Sequence, residues 1–360
     1  MNDASRTHPG MHQGVIYALL AAALFGASTP FAKALVGQVP PVALAGMLYL
    51  GSGLGLLAWF VGRAMAARHA HDKPVALRVA DLPWLLGAIA AGGVAGPVLL
   101  MLGLTLTPAS SASLLLNMEG VLTALLAWFV FKENFDRRIV AGMALIVLAG
   151  ALLGWEQAPK LGVPWGALAI VGACLCWAID NNLTRKISAS DPVQIAGLKG
   201  LVAGTVNLAA AFALGFRLPE AKTVLTAAAV GFCGYGLSLV LFVLALRHLG
   251  TARTGAYFSA APFVGALVAL VMLGEAPGPV FWIAAALMGA GLWLHLSESH
   301  VHEHQHVAME HTHEHTHDAH HQHEHEFPVD GAQRHAHTHR HAATRHSHPH
   351  YPDIHHRHEH

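Results

Sequence analysis

Glu119 sits about halfway along an apolar run, LLLNMEGVLTALL, with Asn117 two residues before it. A carboxyl near the middle of a bilayer costs on the order of 3 kcal/mol on insertion scales, so an acid kept there is a functional candidate. In so low a dielectric it can take up and release a proton near neutral pH or meet a cationic group on a solute. The bland alternative is a structural glutamate hydrogen-bonded between helices. A second polar group brackets a loop: CWAIDNNLTRK and DPVQIAGLKG carry Asp180, Asn181, Asn182 and Lys199. At about 1.5 Å of rise per residue, Asp180 and Lys199 lie about 8 Å inside the facing ends of successive helices. Either they pair and line a polar pathway beside Trp177, or Lys199 snorkels outward and Asp180 caps a frayed helix end.

A third object is the tail, where residues 297–360 hold 23 of the 29 histidines. The repeats are spaced by two: His300, His302, His304, His306, then His311, His313, His315, His317, then His335, His337, His339, His341. In an extended chain, residues two apart point the same way, so neighbouring imidazoles can share one ion. Nitrogen ligands with interleaved Glu and Asp, and no thiolate cluster, suit Zn, Ni, Co or Cu(II) better than Cu(I). Without a C-x2-C or H-E-x-x-H motif, the pattern is that of a many-site divalent-metal chelator of modest selectivity. With almost no apolar residues, the tail is expected to stay disordered.

The elements that must position these groups are helices in lipid. The chain is 54% hydrophobic and only 12% charged, roughly half the ~25% charge of a soluble domain. Ten apolar stretches are long enough to span a bilayer: Gly14–Leu35, Val42–Gly62, Leu82–Leu106, Ala109–Phe131, Ile139–Trp155, Trp165–Thr184, Val193–Phe216, Thr223–Leu246, Ala252–Leu273 and Val280–Leu296. Proline and charge fill the breaks, and no loop is long enough for a soluble catalytic domain. The first stretch lacks the basic front and short core of a cleaved signal, so it is read as a retained span. Twelve Lys and Arg fall on the side of the leader and loops 2–3, 4–5, 6–7 and 8–9, against four on the other. That bias predicts both termini, and the tail, in the cytoplasm. Cys174, Cys176 and Cys233 lie in apolar runs and read as small core residues.

The spans divide into two sets of five. Gly14–Lys33 aligns without gaps on Gly166–Arg185, and Leu104–Glu133 on Leu246–Glu275. Five being odd, such halves must be inverted relative to each other, the construction of many secondary transporters. Gly- and Ala-rich helices in two five-helix halves, the pattern Phe25, Gly26, Ser28, Pro30 in helix 1, and an acid closing each fourth helix at Glu133 and Glu275 resemble the drug/metabolite transporter superfamily, EamA type. The similarity covers about residues 14–296 and excludes the tail. One departure is Gly120 after Glu119, where the family often has proline; Pro262 is kept in the second half.

The expectation is an all-α polytopic membrane protein of ten transmembrane helices in two inverted repeats. Its parts are a leader (1–13), the first repeat (14–155), a linker (156–164), the second repeat (165–296) and a disordered metal-binding tail (297–360). Alternating access would place Glu119, Asn117, Asp180, Asn181, Lys199 and Trp177 along the cavity. Glu119 points to proton coupling and the histidine tail to a divalent metal such as Ni, Co or Zn as a cargo beside a small metabolite, while the resemblance implies an exporter, in the cytoplasmic (inner) membrane. The alternative is a metal-sensing membrane protein whose tail regulates transport of an organic solute. No Walker motif marks ATP as energy source, and no nucleophile–base pair or zinc motif within the spans marks an enzyme. No cofactor is required. The expected partners are the lipid bilayer, the solute and at most a second copy of the chain as a homodimer, with no basic field for nucleic acid.

Overall fold

The computed structural model describes residues 9–66, 77–131, 137–156, 163–187, 191–249, 251–296, 300–306, 309–315, 335–341 and 344–350. Residues up to Glu298 form one compact unit and residues from Ser299 a second. In the first, the described elements are all helical. It begins with α1 (Pro9–Val36), α2 (Pro41–Ala66), α3 (Leu82–Ala88), a π-helical stretch (Ile89–Ala95), α4 (Gly96–Leu106), α5 (Ala109–Leu115), α6 (Met118–Phe131) and α7 (Arg137–Glu156). It continues with α8 (Trp165–Arg185), α9 (Pro192–Ala213), α10 (Ala221–Gly231), a second π-helical stretch (Phe232–Leu237), α11 (Ser238–Leu249), α12 (Thr251–Phe258), α13 (Ala261–Leu273) and α14 (Pro279–Leu296). The order repeats: two long helices, a helix carrying a π stretch, a helix in two pieces, and a last helix.

Eight described helices are long and apolar enough to cross a membrane, and Ala261–Leu273 and Pro279–Leu294 are shorter apolar helices. Large apolar side chains such as Leu267, Val271, Trp282 and Trp293 are more than half exposed, as lipid-facing positions must be. The protein is a polytopic membrane protein.

Helix ends follow local chemistry. Asp191 caps α9, its carboxylate accepting from Val193 N–H at 2.9 Å, with Pro192 opening the helix; a carboxylate there satisfies an otherwise orphaned amide. Gly274 ends α13 with φ 64°, a left-handed turn that suits glycine.

Two expected continuous helices are broken, and the reasons differ. In Ala109–Phe131 the Asn117 side chain folds back on Leu114 O at 2.9 Å while its own amide bonds the same carbonyl at 3.0 Å, tightening the chain into a turn. Asparagine side chains compete with the helical ladder in this way. In Ala252–Leu273 the break at Ser259 and Ala260 precedes Pro262, which cannot donate to the carbonyl four residues back.

The two sets of helices meet on small residues. A Cβ added at Gly200 of α9 would lie 2.7 Å from Gly53 N of α2, and one at Gly46 would lie 2.8 Å from Leu208 N. At the α1–α13 crossing, a Cβ at Gly265 would lie 2.7 Å from Gly26 O. Such contacts bring backbones together where lipid supplies no hydrophobic drive for association.

The tail is described over four short segments. Its described residues form β1 (His300–His306), β2 (Met309–His315), β3 (His335–His341) and β4 (Thr344–His350), with β1 antiparallel to β4 and β2 to β3.

Gly200→Val should force the α2–α9 contact apart, at about 1–3 kcal/mol or more, and lower the thermal midpoint of the purified protein. Gly62→Ala, with open space around its Cα, should leave that midpoint unchanged or raise it.

Candidate functional site

The site is built on a backbone irregularity. Pro97 opens α4 without an N–H, so the carbonyl of Gly93, four residues earlier, loses its helical donor. Side chains take over: Asn207 Nδ2 of α9 donates to Gly93 O at 3.1 Å. Gly92 O accepts from Tyr49 Oη of α2 at 2.8 Å and from Trp177 Nε1 of α8 at 3.0 Å. In hydrocarbon, free carbonyls demand such partners. The second π stretch is served likewise, with Ser238 Oγ donating to Gly234 O.

Asp180 lies directly against this segment. A Cβ at Gly92 would fall inside the Asp180 carboxylate, so only glycine admits the acid here. Lys199 Nζ of α9 donates to both carboxylate oxygens, at 2.6 and 2.7 Å, and Thr184 Oγ1 donates to Oδ1 at 2.8 Å. Asp180 is 6% exposed, so this is a buried, charge-balanced pair with its acceptor capacity well used. One residue further along α8, Asn181 Nδ2 donates to Glu119 Oε1 of α6 at 2.8 Å. Glu119 is only half-buried. Its carboxylate therefore meets an amide from the other half of the chain, whereas Asp180 meets a cation.

Beside the cluster, Tyr49 continues into a row of half-buried aromatic rings. Tyr49 and Tyr235 have centroids 5.5 Å apart, Tyr235 and Phe25 6.0 Å, Phe25 and Phe258 5.5 Å, and Phe258 and Phe242 4.8 Å. These separations fall within the range of favourable ring pairs, and the row draws on α1, α2, the second π stretch, α11 and α12.

A second polar contact joins the halves near Pro108. Lys33 Nζ donates to Leu104 O in the last turn of α4 and, at 3.0 Å, to O of Thr107, which follows the helix. Glu275 accepts from Ala109 N at 2.7 Å and Ser110 N at 2.9 Å, the first amides of α5. A cation thus serves one helix end and an anion the next, each matching the local dipole.

Of the residues singled out in the sequence, Glu119, Asp180, Asn181, Lys199 and Trp177 are brought together, and the pairing of Asp180 with Lys199 is made. Asn117 does not join them. Its amide is turned to Leu114 O and, at 3.7 Å, to Met288 Sδ of α14. Asn182 bonds Ala178 O within its own helix. Tyr49, Asn207 and Thr184 are additions, as are Lys33 and Glu275 at the second contact. Their signal in sequence is a polar group inside an apolar run, and for Gly92 and Gly93 a glycine pair just ahead of Pro97. Among the described residues no three His, Cys, Asp or Glu side chains converge as a metal site in the bundle. In the tail, His317 lies outside the described residues, and the other eleven candidate histidines lie in strands β1 to β3.

The profile of the EamA-like transporter family matches the chain twice, over residues 12–155 and 164–297. An "Uncharacterized transporter" of Methanothermobacter thermautotrophicus is 26% identical over 294 residues, 78% of this chain and 85% of that protein. A "Probable terminal-alkyne amino-acid exporter" of Streptantibioticus cattleyicolor is 27% identical over 220 residues, 60% of this chain and 74% of that protein. A solved structure known only as "Crystal structure of protein" superposes with a TM-score of 0.57 at 20% identity, over 78% of this chain and 95% of that one; at that identity the likeness is one of fold.

Lys199→Met strands a buried carboxylate and should cost about 3–5 kcal/mol, read as a lower thermal midpoint in detergent. The double substitution Asp180→Asn with Lys199→Met should be less destabilised than that single one. Glu275→Ala removes two amide acceptors and should cost on the order of 1 kcal/mol, with Glu275→Gln intermediate in the same measurement.

Proposed function

The chain belongs to the EamA-like transporter family, and from that premise we propose that this membrane transporter is a proton-coupled exporter of a small amino-acid-like metabolite. Ten spans, counting the two shorter apolar helices, form two inverted five-helix halves that rock about the cluster where they meet. Both termini are cytoplasmic by the excess of Lys and Arg in the loops on that side, and the membrane is the cytoplasmic (inner) one.

The observation that carries this reading is the meeting of Glu119 with Asn181 across the halves, beside the Asp180–Lys199 pair. A half-buried carboxylate with a neutral partner can exchange a proton or hold an ammonium group. Lys199, already neutralised by Asp180, can share its charge with a carboxylate at little cost in net charge. The aromatic row from Tyr49 to Phe242 offers an apolar wall for a side chain. Export of an amino-acid derivative agrees with the name of the Streptantibioticus relative, a probable amino-acid exporter. Glu119 therefore alternates between proton and solute, and the inward proton gradient drives solute out.

A divalent metal such as Ni, Co or Zn is the second reading of the cargo, favoured by the histidine tail alone. In the alternative, the tail senses metal and regulates transport of the organic solute.

Everted membrane vesicles with an acidified lumen test the first reading. Uptake of labelled apolar amino acids should depend on the pH gradient, and Glu119→Gln should abolish it at unchanged protein level; equal uptake by that variant would falsify the coupling role. Cytosolic Ni, Co and Zn contents that do not change on deletion of the gene remove metal as cargo.

A further inference from the structure

The two ladders of the tail share one hairpin register. In the outer ladder His300 stands opposite His350, His302 opposite His348 and His304 opposite His346. In the inner ladder His311 stands opposite His339, His313 opposite His337 and His315 opposite His335. The outer ladder ends with His306 opposite Thr344 and the inner begins with Met309 opposite His341. Each strand has therefore advanced by three residues between them, so the two described ladders keep the same register. Three histidine pairs in each ladder come from segments up to 50 positions apart in the chain. His346, His348 and His350, which stand apart from the twelve histidines singled out by spacing, supply half of the outer set.

We infer that the tail closes as a histidine ladder whose cross-strand pairs bind divalent transition-metal ions, so that metal binding and strand pairing are one event. The inference rests on reading the tail as a metal-binding element. Directly opposite positions on antiparallel strands have Cβ atoms about 4.5–5.5 Å apart, a separation that lets two imidazoles reach one ion at about 2.0–2.1 Å. Successive pairs are two residues apart, about 6.8 Å along the strands, on one face of the ribbon. Two adjacent pairs thus place four histidines at neighbouring register positions, the number of ligands that a tetrahedral zinc site takes.

The coupling follows from energetics. A two-stranded ribbon is marginal in water, and this one has almost no apolar surface to bury, so metal binding supplies the free energy of pairing. Only neutral imidazole ligates.

The test uses the full chain in detergent, titrated with Zn(II) and Ni(II) at pH 7.5 (a condition of about one unit above the free imidazole pKa). Binding is followed calorimetrically, and spin labels at Gln305→Cys and Arg345→Cys, register partners, report pairing in a background without native cysteines. Metal should draw the labels to one short distance. Replacing His335, His337, His339, His346, His348 and His350 with alanine should weaken binding by the remaining histidines at least about tenfold, since every cross-strand pair is broken. Retention of about half the bound metal at unchanged affinity, a broad label distance in saturating metal, or no binding at all would each overturn the inference. Transport in everted vesicles is read separately: loss of metal binding with intact amino-acid uptake sinks only the ladder, and the reverse sinks only the proposed function.

Discussion

Hydrocarbon offers no water to a backbone carbonyl, and that single constraint organises the centre of this molecule. Pro97 breaks the hydrogen-bond ladder of the third helix, and the freed oxygens of Gly92 and Gly93 recruit Tyr49, Trp177 and Asn207 from three other helices. Because Gly92 has no side chain, Asp180 can lie against the same segment, and Lys199 neutralises it. Asn181, next on that helix, reaches Glu119. The contacts form one connected set from the freed carbonyls to Glu119.

The repeat strengthens this account. The π stretches at Ile89–Ala95 and Phe232–Leu237 occupy matching places in the two halves, as do the breaks after Leu115 and after Phe258. The local chemistry differs between halves: a proline just after one π stretch and a serine hydroxyl beside the other, an asparagine fold-back at one break and a proline at the other. Geometry has been kept where residue identity has not. Elsewhere the halves meet through glycine, so close helix packing surrounds a polar centre that ties the two sets together.

The tail obeys a different rule. It has no apolar face to bury, and its order lies in period two alone, which sets histidine opposite histidine through two ladders. Composition registers the missing hydrophobic drive, while the period-two spacing is a separate property of the same segment.

Much was legible in the chain before folding. Span positions, the charge bias across the loops, the acids at positions 119 and 180, the lysine at 199 and the histidine spacing are local properties of composition and period, and each can be read from a short window. Which of them meet is not local. Asn117 is two residues from Glu119 yet turns to another helix, while Asn181, 62 residues away, becomes its partner. Nothing near Tyr49 marks it as the donor to a carbonyl 43 residues on, and the need arises only once Pro97 has freed that region of backbone. The sequence by itself determined that polar groups would be held in lipid; the tertiary structure alone decided their pairing, because the cost of an unsatisfied group is settled by whatever neighbour the packing of distant helices brings within reach.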